Sequence, residues 1–248
     1  MAKLKSLENK VVWITGASSG LGKALARECA LQGAQVVLTS RRYDELESVR
    51  VGLLKPEQHL SIAADITDEA QVRHAHERVL ATKGRIDWLI NNAGLSQRAL
   101  IEETSMHTER AIMEVDYFSQ VFFTKTVLPT LLKQKSGRVV FVSSVAGLLG
   151  TQYRASYSAA KAAIHMWANS LRAEVAKEGV EVSVVFPGFV KTNVSFNALN
   201  GEGKPQGHQD EAIENGLEAD VFAERVVSSL MAGDEYIVVG GKKEQLGV

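Results

Sequence analysis

Val11-Val-Trp-Ile-Thr-Gly-Ala-Ser-Ser-Gly-Leu-Gly22 is the stretch that decides the fold of this chain. Its first five residues are apolar and rich in Val and Ile, which favours a strand buried on both faces of a parallel sheet. The glycines at 16, 20 and 22 let the backbone turn tightly and approach a phosphate group at the start of a helix. The spacing is not that of the common G-x-G-x-x-G fingerprint, and a glycine loop alone is also found as a plain tight turn. The strand before the loop and the helix after it favour a dinucleotide site.

The same alternation of strand and helix continues along the chain. Strands are predicted at 11–15, 35–39, 59–63, 87–91, 138–143, 181–186 and 236–240, and helices at 21–32, 68–83, 106–133, 156–178 and 218–232. Pro129 is expected to kink or end the helix at 106–133. This alternation predicts an α/β fold, a Rossmann-type doubly wound parallel sheet of seven strands with helices on both faces.

Composition excludes several classes of protein. The 248 residues carry 28 basic and 29 acidic side chains, a formal net charge of -1, which gives no reason to expect a nucleic-acid or membrane-surface partner. Residues 1–10 lack the apolar run of a signal peptide, and no stretch approaches the roughly 20 apolar residues of a membrane span. A single cysteine, Cys29, is typical of a reducing compartment, so a cytoplasmic location is expected. No linker or repeat divides the chain, and one domain, 1–248, is predicted.

The polar candidates follow the predicted strands. Each comes where a strand ends, and ligands of doubly wound sheets bind at that carboxyl edge. These residues are Gly16, Ser40, Asp65, Asn91, Ser144 and Pro187.

The end of the second strand bears on the choice of cofactor. An NAD site usually has Asp or Glu there, whereas this chain has Thr39-Ser40-Arg41-Arg42. A guanidinium binds a 2′-phosphate through two hydrogen bonds, and a carboxylate would repel it. We therefore predict NADP(H), with Ser40 and Arg41 on the 2′-phosphate and Arg42 assisting. Solvated loop arginines would give the same pattern.

Asp65-Ile66 fits a contact with adenine, whose exocyclic amine would donate to the carboxylate. Asp65, Thr67 and Asp68 are also good helix N-caps, and one residue could serve both roles.

Tyr157-Ser-Ala-Ala-Lys161 places two complementary side chains on one helix face, since residues four apart are neighbours there. A phenol alone is too weak an acid to exchange protons readily near neutrality, and a neighbouring ammonium favours the phenolate. Such a pair suits a carbonyl/alcohol couple.

Five sequence features follow one another along the chain: Thr15-Gly16-x-x-x-Gly20-x-Gly22, Asn91-Asn-Ala-Gly94, Ser144, Tyr157-x-x-x-Lys161 and Pro187-Gly188-x-x-x-Thr192. Together they resemble the short-chain dehydrogenase/reductase family. The resemblance covers essentially the whole chain. The stretch from Pro187 to Leu199, with Thr39-Ser-Arg-Arg42 upstream, looks most like the dehydrogenase/reductase member-seven group.

The resemblance implies a role for each matching residue. Tyr157 would be the acid/base, Lys161 would bind the nicotinamide ribose and make Tyr157 more acidic, and Ser144 would position the substrate oxygen. Asn91, Ala93 and Gly94 would support the sheet and the adenine ribose, and Gly188 and Thr192 would hold the nicotinamide end. The predicted cofactor-binding residues are Gly16, Ser18, Ser19, Gly20, Leu21, Gly22, Ser40, Arg41, Arg42, Asp65, Ile66, Asn92, Ala93, Gly94, Tyr157, Lys161, Pro187, Gly188, Val190 and Thr192.

One position departs from the family. Asp116 stands where the family usually has an asparagine that binds a relay water. An ionised carboxylate accepts hydrogen bonds but donates none. Three interpretations of Asp116 are open. It would hold Lys161 charged or alter the proton relay, or it would be a tolerated replacement for asparagine. In the third interpretation it would mark a protein with weak turnover. We include it with the catalytic residues.

No metal is expected, because the six histidines lack ligand spacing; His74 and His76, for example, are two residues apart and point to different helix faces.

The substrate side is less specific in the sequence. Residues 193–217 form a polar, glycine-containing stretch that suits a lid over the site, or equally a loop without that role. Phe189, Phe196 and Leu199, with Val145 and Leu148-Leu149, indicate an apolar pocket or core packing. Tyr153 is a candidate for substrate contact, and equally for the core. The helices at 106–133 and 156–178 carry apolar residues on more than one face, which agrees with the homodimer or homotetramer that the resemblance implies.

Two functions follow from these observations. The first is an NADP-dependent oxidoreductase acting on the CH-OH group of donors, which reduces an aldehyde or ketone to an alcohol or runs the reverse reaction by hydride transfer. The second is a nucleotide-binding regulator with weak or no turnover, supported by Asp116 alone.

Overall fold

Seven parallel strands form one sheet, in the order β3-β2-β1-β4-β5-β6-β7. The structure is a computed structural model and describes residues 4–241, so positions 1–3 and 242–248 of the predicted domain lie outside the described residues. The strands are β1 Val11–Thr15, β2 Gln35–Ser40, β3 Leu60–Ala63, β4 Trp88–Asn91, β5 Gly137–Val142, β6 Val180–Pro187 and β7 Tyr236–Val239. The predicted seven-stranded, doubly wound parallel sheet is confirmed, with strand boundaries that move by at most one residue.

Helices cover both faces of this sheet. They are α1 Gly20–Leu31, α2 Tyr43–Val51, α3 Glu69–Lys83, α4 Met106–Met113, α5 Ser119–Gln134, α6 Ala155–Val175, α7 Glu211–Glu214 and α8 Ala219–Ala232. On one face, Leu25 of α1 and Phe222 of α8 pack in one cluster with Ile14 of β1. On the other face, α3, α5 and α6 pack against strand residues such as Trp13. The buried Val and Ile runs of the strands thus contact helices on both sides, as parallel sheets require.

Three helical features differ from the sequence prediction. The short helix α7 lies within residues 193–217, where no helix was predicted. The helix α2 was not predicted, because only Leu46 and Val49 are buried in it and the rest of its surface is mostly charged or polar. The single helix predicted at 106–133 is divided into α4 and α5 by a π-helical turn, Glu114–Phe118. In that turn the Ser119 hydroxyl donates to the Val115 carbonyl oxygen at 2.6 Å, which satisfies an acceptor that the wider turn displaces.

Pro129 does not end its helix. It lies inside α5, which continues to Gln134. Proline has no N–H to donate to the carbonyl four residues earlier, and the helix tolerates this loss close to its end, where a single further turn follows.

The strand order reverses direction between β1 and β4, which lie side by side. A crevice opens at such a switch point, outside the carboxyl ends of the strands. Among residues 4–241, no helix is both long enough and apolar enough to cross a membrane.

Candidate active site

A cavity of about 690 Å³ opens at this switch point. It is lined by residues that follow β1 to β6, which the sequence places far apart. The predicted site residues among them are Gly16, Ser18, Ser19, Gly20, Leu21, Ser40, Arg41, Arg42, Asp65, Ile66, Asn92, Ala93, Gly94, Ser144, Tyr157, Lys161, Pro187, Gly188, Val190 and Thr192. Gly22 and Asp116 do not line the cavity; each contacts residues that do.

The glycine loop is held by close backbone packing. Gly16 has φ +66°, a conformation that favours glycine, and a Cβ there would come within 2.8 Å of the Ala93 Cα. A Cβ on Gly22 would lie 2.3 Å from the Gly16 carbonyl oxygen. These two glycines therefore let the loop fold back on the start of α1. The first turn of α1 has no acidic residue, and Ser19 gives it no side-chain cap, so its amide groups are available to an anion.

The loop after β4 fixes the glycine loop from the other side. The Asn92 Nδ2 donates to the Thr15 carbonyl oxygen at 2.9 Å, and the Thr15 hydroxyl accepts from the backbone amides of Asn92 and Ala93. Asn91 points elsewhere, with its Nδ2 donating to the Thr124 hydroxyl at 3.0 Å. Asn92 and Thr15 thus join the ends of β1 and β4 at the switch point.

Arg41 and Arg42 differ in their contacts. Arg42 donates to the Ser18 hydroxyl at 3.2 Å and forms an ion pair with Glu45 at 2.8 Å, so it joins the end of β2 to the glycine loop. Arg41 is exposed, and within the described part of the chain it has no hydrogen bond or ion pair from its guanidinium. The Ser40 hydroxyl accepts from the Arg42 amide at 3.3 Å. Arg41 therefore has its full set of donors available at the cavity wall.

Asp68, and not Asp65, takes the helix-cap role that the sequence left open. Asp68 is the N-cap of α3, since its carboxylate accepts from the backbone amides of Ala70 and Gln71. Asp65 is not the cap; its Oδ1 accepts from the amide and hydroxyl of Thr67, and the residue lines the cavity beside Ile66.

Ser144, Tyr157 and Lys161 meet in the cavity. Lys161 is buried, and its Nζ donates to the Val142 carbonyl oxygen at 3.1 Å and lies 5.7 Å from the centre of the Tyr157 ring. Ser144 follows β5, and its hydroxyl accepts from the Ala146 amide at 3.1 Å. The Ser143 hydroxyl donates to the Lys161 carbonyl oxygen at 2.9 Å, which holds α6 against the end of β5.

Asp116 pairs with Lys161 from behind the cavity. Its Oδ2 lies 3.3 Å from the Lys161 Nζ, and its Oδ1 accepts from the Leu95 amide at 2.7 Å. The carboxyl group is fully buried in the π-helical turn. Burial raises the pKa of Asp116, and the neighbouring Lys161 ammonium opposes that effect in part. Gly94 lets the loop after β4 pass close to this pair, since a Cβ there would lie 3.1 Å from both Asp116 Oδ1 and Lys161 Nζ.

Several residues of the 193–217 segment line the cavity beside Phe189. The Arg98 amide donates to the Leu199 carbonyl oxygen at 2.8 Å, and the Gln209 side chain donates to the Thr192 carbonyl oxygen at 3.1 Å. Phe189 and Leu199 line the cavity, as the predicted apolar pocket requires. Phe196 and Leu149 are exposed and do not line it. Val145 and Leu148 pack against the core instead.

Tyr153 is not a core aromatic. Its side chain is 48% exposed, it does not line the cavity, and its backbone has φ +64°.

Two arginines that sequence reasoning missed do line the cavity. Arg98 lies in the loop after β4, and Arg154 directly precedes α6. Both contact Asp210 of the 193–217 segment. No motif marks them, because their roles depend on a segment about 50 to 110 residues away in the chain.

Metal ligation finds no support in the described residues, where no group of three or more His, Cys, Asp or Glu side chains could hold a metal ion. His76, for example, bonds to the Thr130 hydroxyl at 2.9 Å and stacks on Trp13.

Known proteins are similar to this chain in both sequence and structure. A family model described as short chain dehydrogenase matches residues 10–202. A Drosophila melanogaster protein, named dehydrogenase/reductase SDR family protein 7-like, is 40% identical over 94% of this chain and 73% of its own length. A short-chain dehydrogenase from Streptomyces avermitilis has a TM-score of 0.84 at 30% identity, covering 96% of this chain and 91% of that one. An alcohol dehydrogenase from Thermococcus sibiricus, complexed with 5-hydroxy-NADP, has a TM-score of 0.80 at 26% identity, covering 94% and 97%.

Proposed function

The chain belongs to the short-chain dehydrogenase/reductase family, with relatives in the member-seven group, and we propose that it is an NADP(H)-dependent oxidoreductase that interconverts a carbonyl compound and an alcohol. One observation carries the proposal: Ser144, Tyr157 and Lys161 line the same cavity as the glycine loop. An acid/base group is useful only within reach of the substrate and the cofactor, and a shared cavity meets that condition.

The residues at the carboxyl edge fit a nicotinamide dinucleotide phosphate. The close packing of Gly16 and Gly22 leaves the first turn of α1 open to a pyrophosphate. Arg41, with free donors, would hold the 2′-phosphate together with Ser40, and Arg42 would assist through its contact with Ser18. The Thermococcus sibiricus relative, complexed with 5-hydroxy-NADP, supports the same cofactor class. When bound, the cofactor supplies the hydride.

The protein's own groups handle the proton. In the reductive direction Tyr157 donates the phenolic proton to the carbonyl oxygen, and Ser144 orients that oxygen by a hydrogen bond. Lys161 holds its ammonium beside the Tyr157 ring, where its positive charge stabilises the phenolate that remains. In the oxidative direction the phenolate takes the proton of the alcohol.

The regulator hypothesis rests on the contact between Asp116 and Lys161. A carboxylate at 3.3 Å competes with Tyr157 for the electrostatic effect of the ammonium, which would slow proton transfer. A protein of this kind would bind NADPH tightly and consume it slowly.

A homodimer or homotetramer is also part of the proposal. Phe118 in the π-helical turn, Met106 on α4 and Met166 on α6 are 53 to 62% exposed. Large apolar side chains on the same pair of long segments favour burial against another copy of the chain.

The test is NADPH oxidation across a panel of aldehydes and ketones, with Tyr157→Phe as the blank. We expect the substitution to reduce turnover by about 10²–10⁴-fold, the usual contribution of a positioned acid/base, while NADPH still binds. Tyr153→Phe is the matched control, because this exposed tyrosine lies outside the cavity. Near-wild-type turnover in Tyr157→Phe would overturn the mechanism. Bound NADPH without turnover across the panel would favour the regulator.

A further inference from the structure

Three charged side chains meet where the 193–217 segment contacts the loop after β4 and the residue before α6. Arg98 donates from Nε to Asp210 Oδ2 at 2.7 Å and makes a second, shorter contact with the same oxygen through Nη2. Arg154 Nη2 approaches this oxygen from the other side, at 3.4 Å. Two guanidinium groups therefore share one carboxylate.

The two arginines differ in how many of their N–H groups have hydrogen-bond acceptors. Arg98 also donates from Nη1 to the Ser96 hydroxyl at 3.0 Å and to the Gln97 carbonyl oxygen at 2.8 Å, so most of its five N–H groups have acceptors. Within residues 4–241, Arg154 donates only the long bond to Asp210 and otherwise lies over the Phe189 ring, at 5.7 Å. Arg98 holds Asp210 in place, whereas Arg154, which also lines the cavity, keeps most of its donors without a protein acceptor.

The backbone aims Arg154 at the catalytic group. Arg154 precedes α6 by one residue and lies one helical turn before Tyr157. The residue before it, Tyr153, has φ +64°, a strained conformation for a tyrosine, and its carbonyl oxygen accepts from the Ala99 amide at 3.1 Å. Strain of this kind persists only where the surroundings impose it, and here it directs the next side chain into the cavity.

The charge at this end of the cavity is not balanced. Burial lowers the pKa of Arg154, and the nearby Arg98 guanidinium lowers it further. Of the described residues that line the cavity, Asp65 alone carries a carboxylate, and it follows β3, at the adenine end proposed above. A partly buried cation with spare donors is stabilised by an anion that brings its own acceptors.

We propose that the substrate carries an oxyanion group, the chemistry shared by carboxylates and phosphate monoesters, and that Arg154 binds this group while Arg98 and Asp210 hold the segment closed around it. The inference deepens the proposed function, because it names the class of carbonyl compound that the same cavity would reduce. Arg154 would then set which substrates bind, and Tyr157, one turn further on, would act on their carbonyl oxygen.

Binding and turnover test this inference separately. Three probes without a reducible carbonyl share one phenylethyl body: 3-phenylpropanoate, 2-phenylethyl phosphate and the neutral 3-phenylpropanamide. Their affinities for the NADPH-saturated protein are measured by calorimetry in wild type, Arg154→Gln, Arg154→Lys and Arg78→Gln. Arg78 is an exposed arginine on α3 outside the cavity and is the matched control.

We expect at least one anionic probe to bind wild type tenfold or more tightly than the amide, as a charge-assisted bond to a partly buried guanidinium provides. That preference should disappear in Arg154→Gln, survive in part in Arg154→Lys and stay unchanged in Arg78→Gln. Which of the two anionic probes binds more tightly distinguishes a carboxylate substrate from a phosphate one.

Equal binding of the amide and both anions, binding of none of the probes, or an anion preference that survives in Arg154→Gln would each overturn the inference. Turnover is read independently, as NADPH oxidation with keto acids and their methyl esters. Anion binding through Arg154 without any turnover would leave the inference standing and count against the proposed function.

Discussion

Asp116 shows how one residue affects stability and chemistry together. Its carboxyl group is fully buried, and its two oxygens contact the Leu95 amide and the Lys161 ammonium. Moving a carboxylate from water into the protein interior has a cost in free energy. Contacts with one ammonium and one amide offset that cost only where their geometry is very good. Burial therefore raises the pKa of Asp116, which means that folding favours its protonated form relative to the unfolded chain.

The raised pKa predicts how Asp116 affects the pH dependence of stability. The contribution of such a group is fully present below its unfolded pKa of about 3.9 and is lost as pH rises through the higher folded pKa. We expect wild type to lose stability relative to Asp116→Asn as the pH rises above about 4, because asparagine does not titrate. Thermal unfolding of both proteins at several pH values measures the difference, and the exposed Asp44→Asn is the control. A difference that is constant across the range, or that changes in the opposite direction, would contradict the assignment.

The same variant tests whether Asp116 acts on the reaction. At pH values where Asp116 is ionised, the substitution removes a negative charge beside the Lys161 ammonium, so the pH profile of alcohol oxidation should move toward lower pH. An unchanged profile would place Asp116 outside the proton relay and leave it a purely structural role.

At this scale, local spacing decided what the sequence could predict. Tyr157 and Lys161 are four residues apart on one helix, so their proximity follows from helix geometry alone. Arg154 and Asp210 are 56 residues apart, and they meet only because the chain folds back on itself between them. No periodicity relates them, and the sequence therefore gave no signal for the charged cluster.

The start of α1 is the element on which the cofactor site depends. Its first turn must stay close to the Gly16 carbonyl oxygen and must keep its amides free of acidic side chains. A side chain at Gly22 affects both the packing of the helix and the path of the loop.

Replacing Gly22 with alanine sets two effects against each other. Alanine favours a helix over glycine by about 1 kcal/mol. The new Cβ, however, would lie 2.3 Å from the Gly16 carbonyl oxygen, and the backbone would have to move. Overpacking of this kind costs roughly 1–3 kcal/mol, so we expect Gly22→Ala to lower the free energy of unfolding and to weaken NADPH binding about tenfold or more.

Denaturant unfolding and a fluorescence titration with NADPH measure the two effects. Gly150→Ala is the control, since a Cβ at Gly150 meets nothing within 4 Å. Wild-type affinity in Gly22→Ala would show that the loop tolerates a side chain there and that the tight approach is not needed for binding.

The elements that the sequence predicted well have strong patterns. The strands β1 and β6 are rich in β-branched residues and are buried on both faces, so the sequence predicts them directly. The helix α2 has two buried residues, and the π-helical turn at Glu114–Phe118 depends on hydrogen bonds rather than on any apolar period. Patterns of hydrophobicity do not report such features.

For the molecule as a whole, the seven-stranded sheet is built from a repeated strand–helix unit. The lid role of residues 193–217, the oligomer and the cytoplasmic location stay predictions. The two halves of the cavity wall come from β1–β3 and from β4–β6, so a bound cofactor would contact both. Its binding should therefore stabilise the sheet as one unit.

Thermal unfolding with and without cofactor tests the single domain and the NADP preference together. We expect one cooperative transition, because both hydrophobic clusters pack on the same sheet. At 100 times its dissociation constant, NADPH adds about 2.7 kcal/mol to the free energy of unfolding, which raises Tm by roughly 5–10 °C for a domain of this size. NADH at the same concentration should raise Tm less, since it lacks the 2′-phosphate that the exposed Arg41 would bind.

Arg41→Ala should bring the two shifts close together by reducing the NADPH shift and leaving the NADH shift unchanged. Arg225→Ala, an exposed substitution on α8 outside the cavity, should preserve the difference between the cofactors. Equal shifts for NADH and NADPH in wild type would contradict the NADP assignment, because a guanidinium with free donors at the end of β2 would then contribute nothing to recognition. Two transitions, with only one responding to cofactor, would contradict the single domain instead, since a ligand that contacts both halves of the cavity wall must stabilise both.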